Sequence, residues 1–332
     1  MEEIYIVTGA LGHLGSTIIR ELIASNKKVR GFDLKQVRNN NLSDIKIDMI
    51  YGDITNKTDI EKLLDVKEET IYVIHCAGIV SIASKYDERV YNVNVNGTKN
   101  IVDACLNKKV KKLVHVSSVH AIPEGKTGEV IREVNHFNPD EVKGLYAKTK
   151  AEASEYVLNS VKKGLNASIV HPSGIIGPYD YGNGHLTRMF IDYLNKKLTA
   201  IVPGGYDFVD VRDVAIGTIN CVKKGKKGEC YILSNHYYEA KELIKLASEI
   251  SKTKNIKTIL PLWFAKLVAP LAELYYKIRK TPPLYTSYSL YTLKSNALFS
   301  HDKATKELDY MPRDIRETIT DIITFIKENN LK

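Results

Sequence analysis

Tyr146 and Lys150 stand four residues apart in a stretch that reads as helix, so their side chains share one face. A free phenol has a pKa of about 10 and moves protons poorly at neutral pH. A lysine cation one turn away favours phenolate, so the pair is expected to lower the Tyr146 value and to donate and accept a proton. Ser117 and Ser118 follow a strand that ends at His115-Val116. A serine hydroxyl there can donate to a substrate oxygen as charge develops on it. Interconversion of a carbonyl and an alcohol uses such a set. The Tyr-Lys spacing alone is common on helix surfaces, so the rest of the chain must decide.

A glycine turn supplies the first context. The strand Ile4 to Val7 runs into Thr8-Gly9-Ala10-Leu11-Gly12-His13-Leu14-Gly15, and a helix starts there. Gly9, Gly12 and Gly15 permit a tight turn and let backbone approach a pyrophosphate. The helix N-terminus around His13 and Leu14 offers unpaired N–H groups and a positive dipole to the phosphates. The turn opens a βαβ unit, the context such a motif requires, although its spacing is GxxGxxG rather than GxGxxG. Asp33 closes the second strand, where an acid bonds the adenosine ribose hydroxyls and repels a 2′-phosphate. That favours NAD, while the nearby Lys35 and Arg38 keep NADP open. Asp53, followed by Ile54, ends the third strand on the same edge, within reach of the adenine amino group.

The elements that must carry these residues alternate. Strands are expected at 3–8, 28–33, 47–51, 70–76, 112–117 and 167–171, with helices at about 13–26, 57–65, 86–107 and 144–163. The strand runs are continuously apolar, as strands buried on both faces should be. Strand and helix in alternation predict an α/β fold with a Rossmann-type, doubly wound parallel sheet. After about residue 177 the rhythm breaks. Helices are expected near 185–196, 213–224, 240–252, 262–279 and 315–329, with a strand at 229–233. The expected division is a dinucleotide-binding domain at 1–177 and a smaller mixed substrate lobe at 178–332, with some return of the chain to the sheet.

Composition sets limits. The 332 residues are 44% hydrophobic and 26% charged, ordinary for a globular chain and unlike a disordered one. The most apolar stretch, 260–272, is interrupted by Lys266 and Pro270 and is too short for a membrane span. Met1-Glu2-Glu3 is acidic where a secretory signal is basic, and four cysteines show no metal-ligand spacing. The expectation is a cytoplasmic protein with reduced thiols, no metal and no membrane span. The net charge of +9 comes from scattered lysines. The two clusters, at 108–112 and 223–227, fall where helices should end and complement the helix dipole, so no nucleic-acid partner is expected.

With these motifs together, the sequence resembles the extended short-chain dehydrogenase/reductase family, also described as NAD-dependent epimerase/dehydratase. The resemblance covers nearly the whole chain. It rests on Thr8 to Gly15, Asp53, His75-Cys76-Ala77-Gly78, Asn94-Val95-Asn96-Gly97-Thr98, Ser118 with Tyr146 and Lys150, His171 to Pro178, and Phe208 to Ala215. It implies that Tyr146 is the catalytic acid/base, that Lys150 bonds the nicotinamide ribose and tunes Tyr146, and that Ser118 orients the substrate oxygen. Ser117 is then packing. It further implies that Cys76, Ala77, Gly78 and Asn94 lie at the cofactor and that Pro172 and Ser173 line the nicotinamide pocket. A homodimer through helices 86–107 and 144–163 is implied by the same resemblance.

Two branches compete. Nucleotide-sugar epimerases and dehydratases usually hold a diphosphate with an arginine before the FVDV block and an asparagine in the sixth-strand block. Here those places hold Pro203 to Phe208 and Gly174. The chain looks closer to dihydroflavonol reductases and 3β-hydroxysteroid dehydrogenases. This implies oxidation or reduction of a hydroxyl or ketone on an apolar small molecule. A nucleotide-sugar 4-epimerase or dehydratase is the alternative, and a non-catalytic NAD(P)-sensing regulator is a third. Trp263 and Tyr275, Tyr276, Tyr285, Tyr288 and Tyr291 are candidates for a greasy pocket, with plain core the more common role of such residues.

Overall fold

Continuous apolar runs become the strands of one parallel sheet. The computed structural model describes residues 2–35, 41–82, 86–265, 267–268 and 287–331. Arg38, Tyr275, Tyr276, Tyr285 and most of the helix expected at 262–279 lie outside the described residues. Among the described residues the sheet has seven strands: β1 (Glu3–Thr8), β2 (Val29–Asp33), β3 (Asp48–Tyr51), β4 (Thr70–His75), β5 (Lys112–Val116), β6 (Ala167–Pro172) and, from late in the chain, β9 (Cys230–Leu233). Their order is β3-β2-β1-β4-β5-β6-β9. The order reverses at β1, between β2 and β4, which is where such sheets open a ligand crevice.

Alternation along each strand feeds two cores. Ile4, Ile6, Val73, Leu113 and Ile169 face one layer, with Ile60, Ile101 and Val157 from α2 (Lys57–Leu63), α4 (Thr98–Lys108) and α5 (Leu145–Lys162). Tyr5, Val7, Ile74, Val114 and Val170 face the other, with Ile18 and Val214 from α1 (His13–Ala24) and α7 (Val211–Lys224). Both faces are covered, so the strands need no polar face.

The second part of the chain builds a smaller mixed sheet that the sequence reading missed. β7 (Gly174–Ile176) pairs parallel with β8 (Gly205–Asp210), which pairs antiparallel with β10 (His236–Glu239). A third core joins it to α6 (His185–Leu194), α8 (Ala240–Ser251) and α11 (Ile315–Glu328), through Phe190, Phe208, Leu243 and Ile319. Between them come α9 (Ser287–Thr292) and α10 (Asp302–Leu308).

Three local expectations change. The helix expected over 86–107 is divided into α3 (Glu88–Tyr91), a wider π turn at Asn92–Gly97, and α4. The turn carries Asn94, whose side chain is held outside the helix by Ile79 and Thr149. Such insertions mark places where function or packing re-aims a side chain. Lys112 is not at a helix end. It lies on β5, 3% exposed, with Nζ donating to Ser168 Oγ (2.7 Å) and the Gly225 carbonyl (2.8 Å). The other cluster is consistent with a paired, solvated end of α7, since Lys223 bonds Glu3, Lys224 bonds Asp309 and Lys226 bonds Glu307. Trp263, finally, is 69% exposed and is neither core nor pocket lining.

A buried ion network ties the small sheet to the C-terminal helix. Asp210 caps α7 and accepts from Arg212 Nε (3.0 Å) and Nη2 (2.8 Å), while Arg212 also pairs with Asp321 on α11 (2.7 Å). Arg313 donates from its backbone and its guanidinium to Asp213 (2.8 and 2.9 Å). Burial works to raise the Asp210 pKa, but the bonds from Arg212 and the charges of Arg212 and Arg313 hold it below the usual carboxylate range. Removing one partner of such a network leaves a buried charge uncompensated. Arg313→Ala is expected to cost about 3 kcal/mol in chemical denaturation. A loss below about 0.5 kcal/mol would mean that the network carries no net stability.

Candidate active site

The glycine turn follows from close approach. Gly9 has φ +68° and lies where a Cβ would sit 2.8 Å from the Ala77 nitrogen. A Cβ on Gly15 would fall 2.0 Å from the Gly9 carbonyl oxygen, so the helix can start this close to the turn only with glycine there. α1 has no side-chain cap and no acid in its first turn. Its N-terminal amides and dipole are therefore uncompensated by the chain itself, which fits an anionic pyrophosphate. His13 Nε2 donates to the Pro178 carbonyl (2.8 Å) and ties the turn to the second half, while Leu14 packs on the neighbouring core.

Two acids stand at the same edge. Asp33 accepts from the Leu11 and Leu34 amides, each at 2.8 Å, and burial raises its pKa against those bonds. The carboxylate is thereby fixed in direction beside the turn. Asp53 accepts from the Thr55 amide and hydroxyl (both 2.8 Å). Ile54 is buried where a Cβ on Gly97 would strike it.

A buried chain of hydrogen bonds sets the loop after β4. Thr98 Oγ1 donates to the Asn94 carbonyl (2.7 Å), so its one proton is engaged and His75 Nε2 must donate to it (3.0 Å). His75 Nδ1 then accepts from Thr8 Oγ1 (2.7 Å), which in turn accepts from the Ala77 amide (3.2 Å). Burial holds His75 neutral by lowering its pKa to about 3. Asn94 spans Ile79, accepting from its amide (2.7 Å) and donating to its carbonyl (3.0 Å). A Cβ on Gly78 would sit 3.2 Å from Asn94 Oδ1 and 3.3 Å from Lys150 Nζ. Backbone, amide and ammonium therefore converge at Gly78. Cys76 is unpaired, and burial pushes its thiol up to about 12, so it holds its proton.

Ser118, Tyr146 and Lys150 come together at the carboxyl ends of β5 and β4. Ser118 lies near enough to Tyr146 to pull its phenol pKa down, and accepts from the His120 amide (3.2 Å). Ser117 turns the other way, to Ser154 Oγ (2.7 Å), which is the packing role expected of it. Lys150 is 5% exposed and donates to the Val116 carbonyl (2.9 Å). The electrostatics differ from the expectation. Burial raises the Tyr146 pKa to about 12, with Ser118 pulling the other way. Burial also lowers Lys150 to about 8. A shared helix face brings the two together, but desolvation outweighs the cation in the protein alone.

The wall around Tyr146 was not foreseen. The His120 ring meets Tyr146 edge-on (6.0 Å) and stacks on Tyr206 (5.4 Å), and Tyr288 packs 6.3 Å away. Tyr206 Oη and His120 Nε2 are 3.1 Å apart. Burial lowers His120 to about 4, so it stays neutral. Behind this partition lies a cavity of about 230 Å³, lined by His120, Tyr206, Tyr291, Glu124, Lys143 and Phe299 among others. Neither Ser118 nor Tyr146 lines it. Position two after Ser118 was the one available signal for His120. Pro172 ends β6 and Ser173 follows it, with the Ser173 hydroxyl donating to buried Asp207. Gly174 has a packing reason: its Cβ would meet the Asp207 carbonyl at 2.9 Å, so its identity no longer argues about substrate.

Sheet order, glycine turn and the Ser-Tyr-Lys group at one edge define an NAD(P)-dependent enzyme of the extended short-chain dehydrogenase/reductase type. Residues 6–239 match the model of the 3-beta hydroxysteroid dehydrogenase/isomerase family, and the chain belongs to that family. It is similar to sterol demethylase protein B of Methylococcus capsulatus, 28% identical over 98% of this chain and 99% of that one. It is also similar to 3 beta-hydroxysteroid dehydrogenase type 7 of Mus musculus, 26% identical over 93% and 91%. Among solved structures, gox2253 superposes with a TM-score of 0.83, 29% identity and 98% coverage of both chains. WbmH of Bordetella bronchiseptica, solved in complex with NAD+, shares the fold with a TM-score of 0.77, 20% identity and full coverage of both chains.

The buried lysine has a stability consequence. Its folded value of about 8 lies below the ordinary 10.5, so between those pH values the unfolded chain holds the extra proton. Stability therefore rises with pH across that window, and below pH 8 the buried cation imposes its full cost. Lys150→Met is expected to be more stable than the wild type at pH 7 by about 2 kcal/mol, with the gain shrinking toward pH 10. Denaturant melts at both pH values check this. An unchanged or less stable variant at pH 7 would show that the bond to Val116 outweighs desolvation.

Proposed function

We propose that the protein is an NAD-dependent oxidoreductase that interconverts a hydroxyl and a ketone on an apolar, sterol-like small molecule, with Tyr146 as the acid/base. The observation that carries this reading is the gathering of Ser118, Tyr146 and buried Lys150 at one sheet edge, walled by His120, Tyr206 and Tyr288. Gly9, Gly12 and Gly15 with the start of α1 would hold the pyrophosphate. Asp33 would take the ribose hydroxyls, Asp53 the adenine, and Gly78, Asn94 and Lys150 the nicotinamide end. The bound dinucleotide would supply the hydride donor or acceptor and, when oxidised, a positive charge. Tyr146 with a pKa of about 12 keeps its proton and is ready to donate it to a carbonyl oxygen. In the reverse direction added positive charge lowers a phenol's pKa and lets it accept. Ser118 donates to the same oxygen and fixes its position.

Charge argues for an apolar substrate over a nucleotide sugar. The described arginines of the second half are engaged with carboxylates: Arg188 with Asp192, Arg212 with Asp210 and Asp321, Arg313 with Asp213, and Arg316 with Glu249. None of these arginines stands unpaired to meet a diphosphate.

Tyr146→Phe is expected to retain NAD binding and lose about 10²- to 10⁴-fold in kcat. Reduced-nicotinamide absorbance on a panel of hydroxysteroids, flavanonols, aryl alcohols and UDP-sugars reads this directly. Turnover that survives in Tyr146→Phe would sink the assignment. Silence with every alcohol, together with isomerisation of a UDP-sugar, would replace the dehydrogenase by the epimerase. Asp33→Ala should lower the preference for NAD over NADP about tenfold or more, since it removes a hydrogen bond to charge and a repulsion together. An unchanged ratio of kcat/KM for the two cofactors would remove Asp33 from the site.

A further inference from the structure

The cavity behind the ring partition differs in character from the wall beside Tyr146. Its sides are apolar, with Ile122, Ile131 and Phe299 among them, while one end is polar and held in place. Asn296 donates from Nδ2 to three carbonyls of one loop, those of Glu124 (3.0 Å), Lys126 (3.0 Å) and Glu129 (2.7 Å). The Ile131 amide donates to the Leu298 carbonyl (2.7 Å), and the Ser300 amide to the Ile131 carbonyl (3.0 Å). The loop over 124–131 is thus sewn to the segment 296–300, which fixes the Glu124 backbone. The side chain is fixed as well, since Glu124 Oε1 accepts from the Tyr291 hydroxyl (2.7 Å). Burial and the carboxylate both push the Tyr291 phenol up, so that hydroxyl keeps its proton and remains the donor.

At this end of the cavity the protons are already committed. Tyr291 donates to Glu124, and Ser295 Oγ donates to the Thr292 carbonyl (2.9 Å). Asn296 directs its amide hydrogens at the loop, which leaves its carbonyl oxygen. The cation of the lining, Lys143, is exposed and lies over the Tyr291 ring, 5.0 Å from its centroid. Apart from that ammonium, the side chains at the Glu124 end can only accept. Glu124 Oε2 has no hydrogen-bond partner among the described residues. Such a lining favours a ligand that brings the donor, and it disfavours a carboxylate or a phosphate.

The same space adjoins the reaction centre. His120 lines the cavity and meets Tyr146 edge-on (6.0 Å), so its ring belongs to both walls. Turning that ring aside would break its bond to Tyr206 and join the two spaces. We propose that the cavity holds the far end of the substrate, and that Glu124 selects a substrate carrying a hydrogen-bond donor there, a hydroxyl or an ammonium remote from the group that reacts. That the occupant is the substrate rests on the oxidoreductase reading. The demand for a donor rests on the bonds around Glu124.

The probes are rigid steroids that share one reacting hydroxyl and differ only at the opposite end, where they carry hydroxyl, ammonium, methyl ether, carboxylate or hydrogen. Binding is read by calorimetry on the NADH-loaded protein, where an alcohol meets no hydride acceptor and stays intact. The hydroxyl and ammonium compounds are expected to bind about tenfold or more tighter than the methyl ether and the unsubstituted parent, because each gains a bond to a charged acceptor. The carboxylate should bind weakest, through like-charge repulsion. Glu124→Gln should bring the hydroxyl and the methyl ether within about threefold of each other, since an amide donates as well as accepts. Tyr291→Phe keeps the carboxylate and should keep the preference for a donor. Retained NAD binding is the check of folding in both variants, and the wild-type ranking is a test that needs neither. Equal binding of all the compounds, a preference for the carboxylate, or an undiminished donor preference in Glu124→Gln overturns the proposal. Donor-selective binding that Glu124→Gln abolishes, with no oxidation of any of the compounds by NAD, would keep the donor site and overturn the oxidoreductase reading instead.

Discussion

A neutral imidazole inside the sheet is the constraint on which the site depends. His75 accepts a hydrogen bond at Nδ1 from the Thr8 hydroxyl and donates its own Nε2–H to the Thr98 oxygen. Thr8 ends the strand that enters the glycine turn, and Thr98 begins α4 behind the π turn. One ring therefore fixes the strand, the loop at Ala77-Gly78 and the turn that carries Asn94. Protonating His75 would put a second donor where Thr8 already donates. Full burial makes that form costly, which is why the relay can be trusted to hold its direction at physiological pH. Gly9 and Ala77 then press so closely that a Cβ on Gly9 has no room.

The sheet was legible because its signal is local. A strand buried on both faces reads as a near-continuous apolar run, and β1, β4, β5 and β6 read that way apart from single polar residues such as Lys112 and His75, without any knowledge of their partners. The small sheet was not legible, for the opposite reason. β10 is His236-Tyr237-Tyr238-Glu239, half exposed and polar, and it exists because β8 lies beside it. β7 is three residues long and survives through Gly174, which lets it approach β8. The π turn escaped as well. Its residues are weak helix formers that do not by themselves specify a π turn, and the departure comes from Asn94 reaching to Ile79, a contact that no periodicity encodes.

That Ser118, Tyr146 and Lys150 would lie together at one sheet edge could be read from type, spacing and context, while their electrostatics could not. An i, i+4 spacing gives proximity, but the sign of a pKa shift depends on how much water remains. Here burial raises the phenol and lowers the ammonium, and each change disfavours the charged form. Lys112 shows the same limit. Its neighbours in sequence suggested a solvated helix end, yet its ammonium is enclosed by Ser168 and Gly225 from other parts of the chain. His120, Tyr206 and Tyr288 come from three distant segments, and only the folded lobe sets them around one tyrosine.

The use of polar groups in the second half bears on what the site can recognise. Ser173 is engaged by Asp207, Tyr206 is engaged by His120, and the described arginines are held by carboxylates. Beside Tyr146 this leaves ring faces and edges, with His120 held neutral by burial. Ring surfaces discriminate by shape and contact area, and the rings themselves offer little to a phosphate. On the proposed reading, the polar contact of the second half lies at the far end of the cavity, where Tyr291 and Ser295 have committed their protons and Glu124 is left to accept. Apolar contact is non-directional, so rings alone would let a flat molecule slide or turn over beside Tyr146. A directional bond at the far end fixes which hydroxyl meets Ser118 and Tyr146. The apolar walls then supply affinity, and the two polar ends supply orientation.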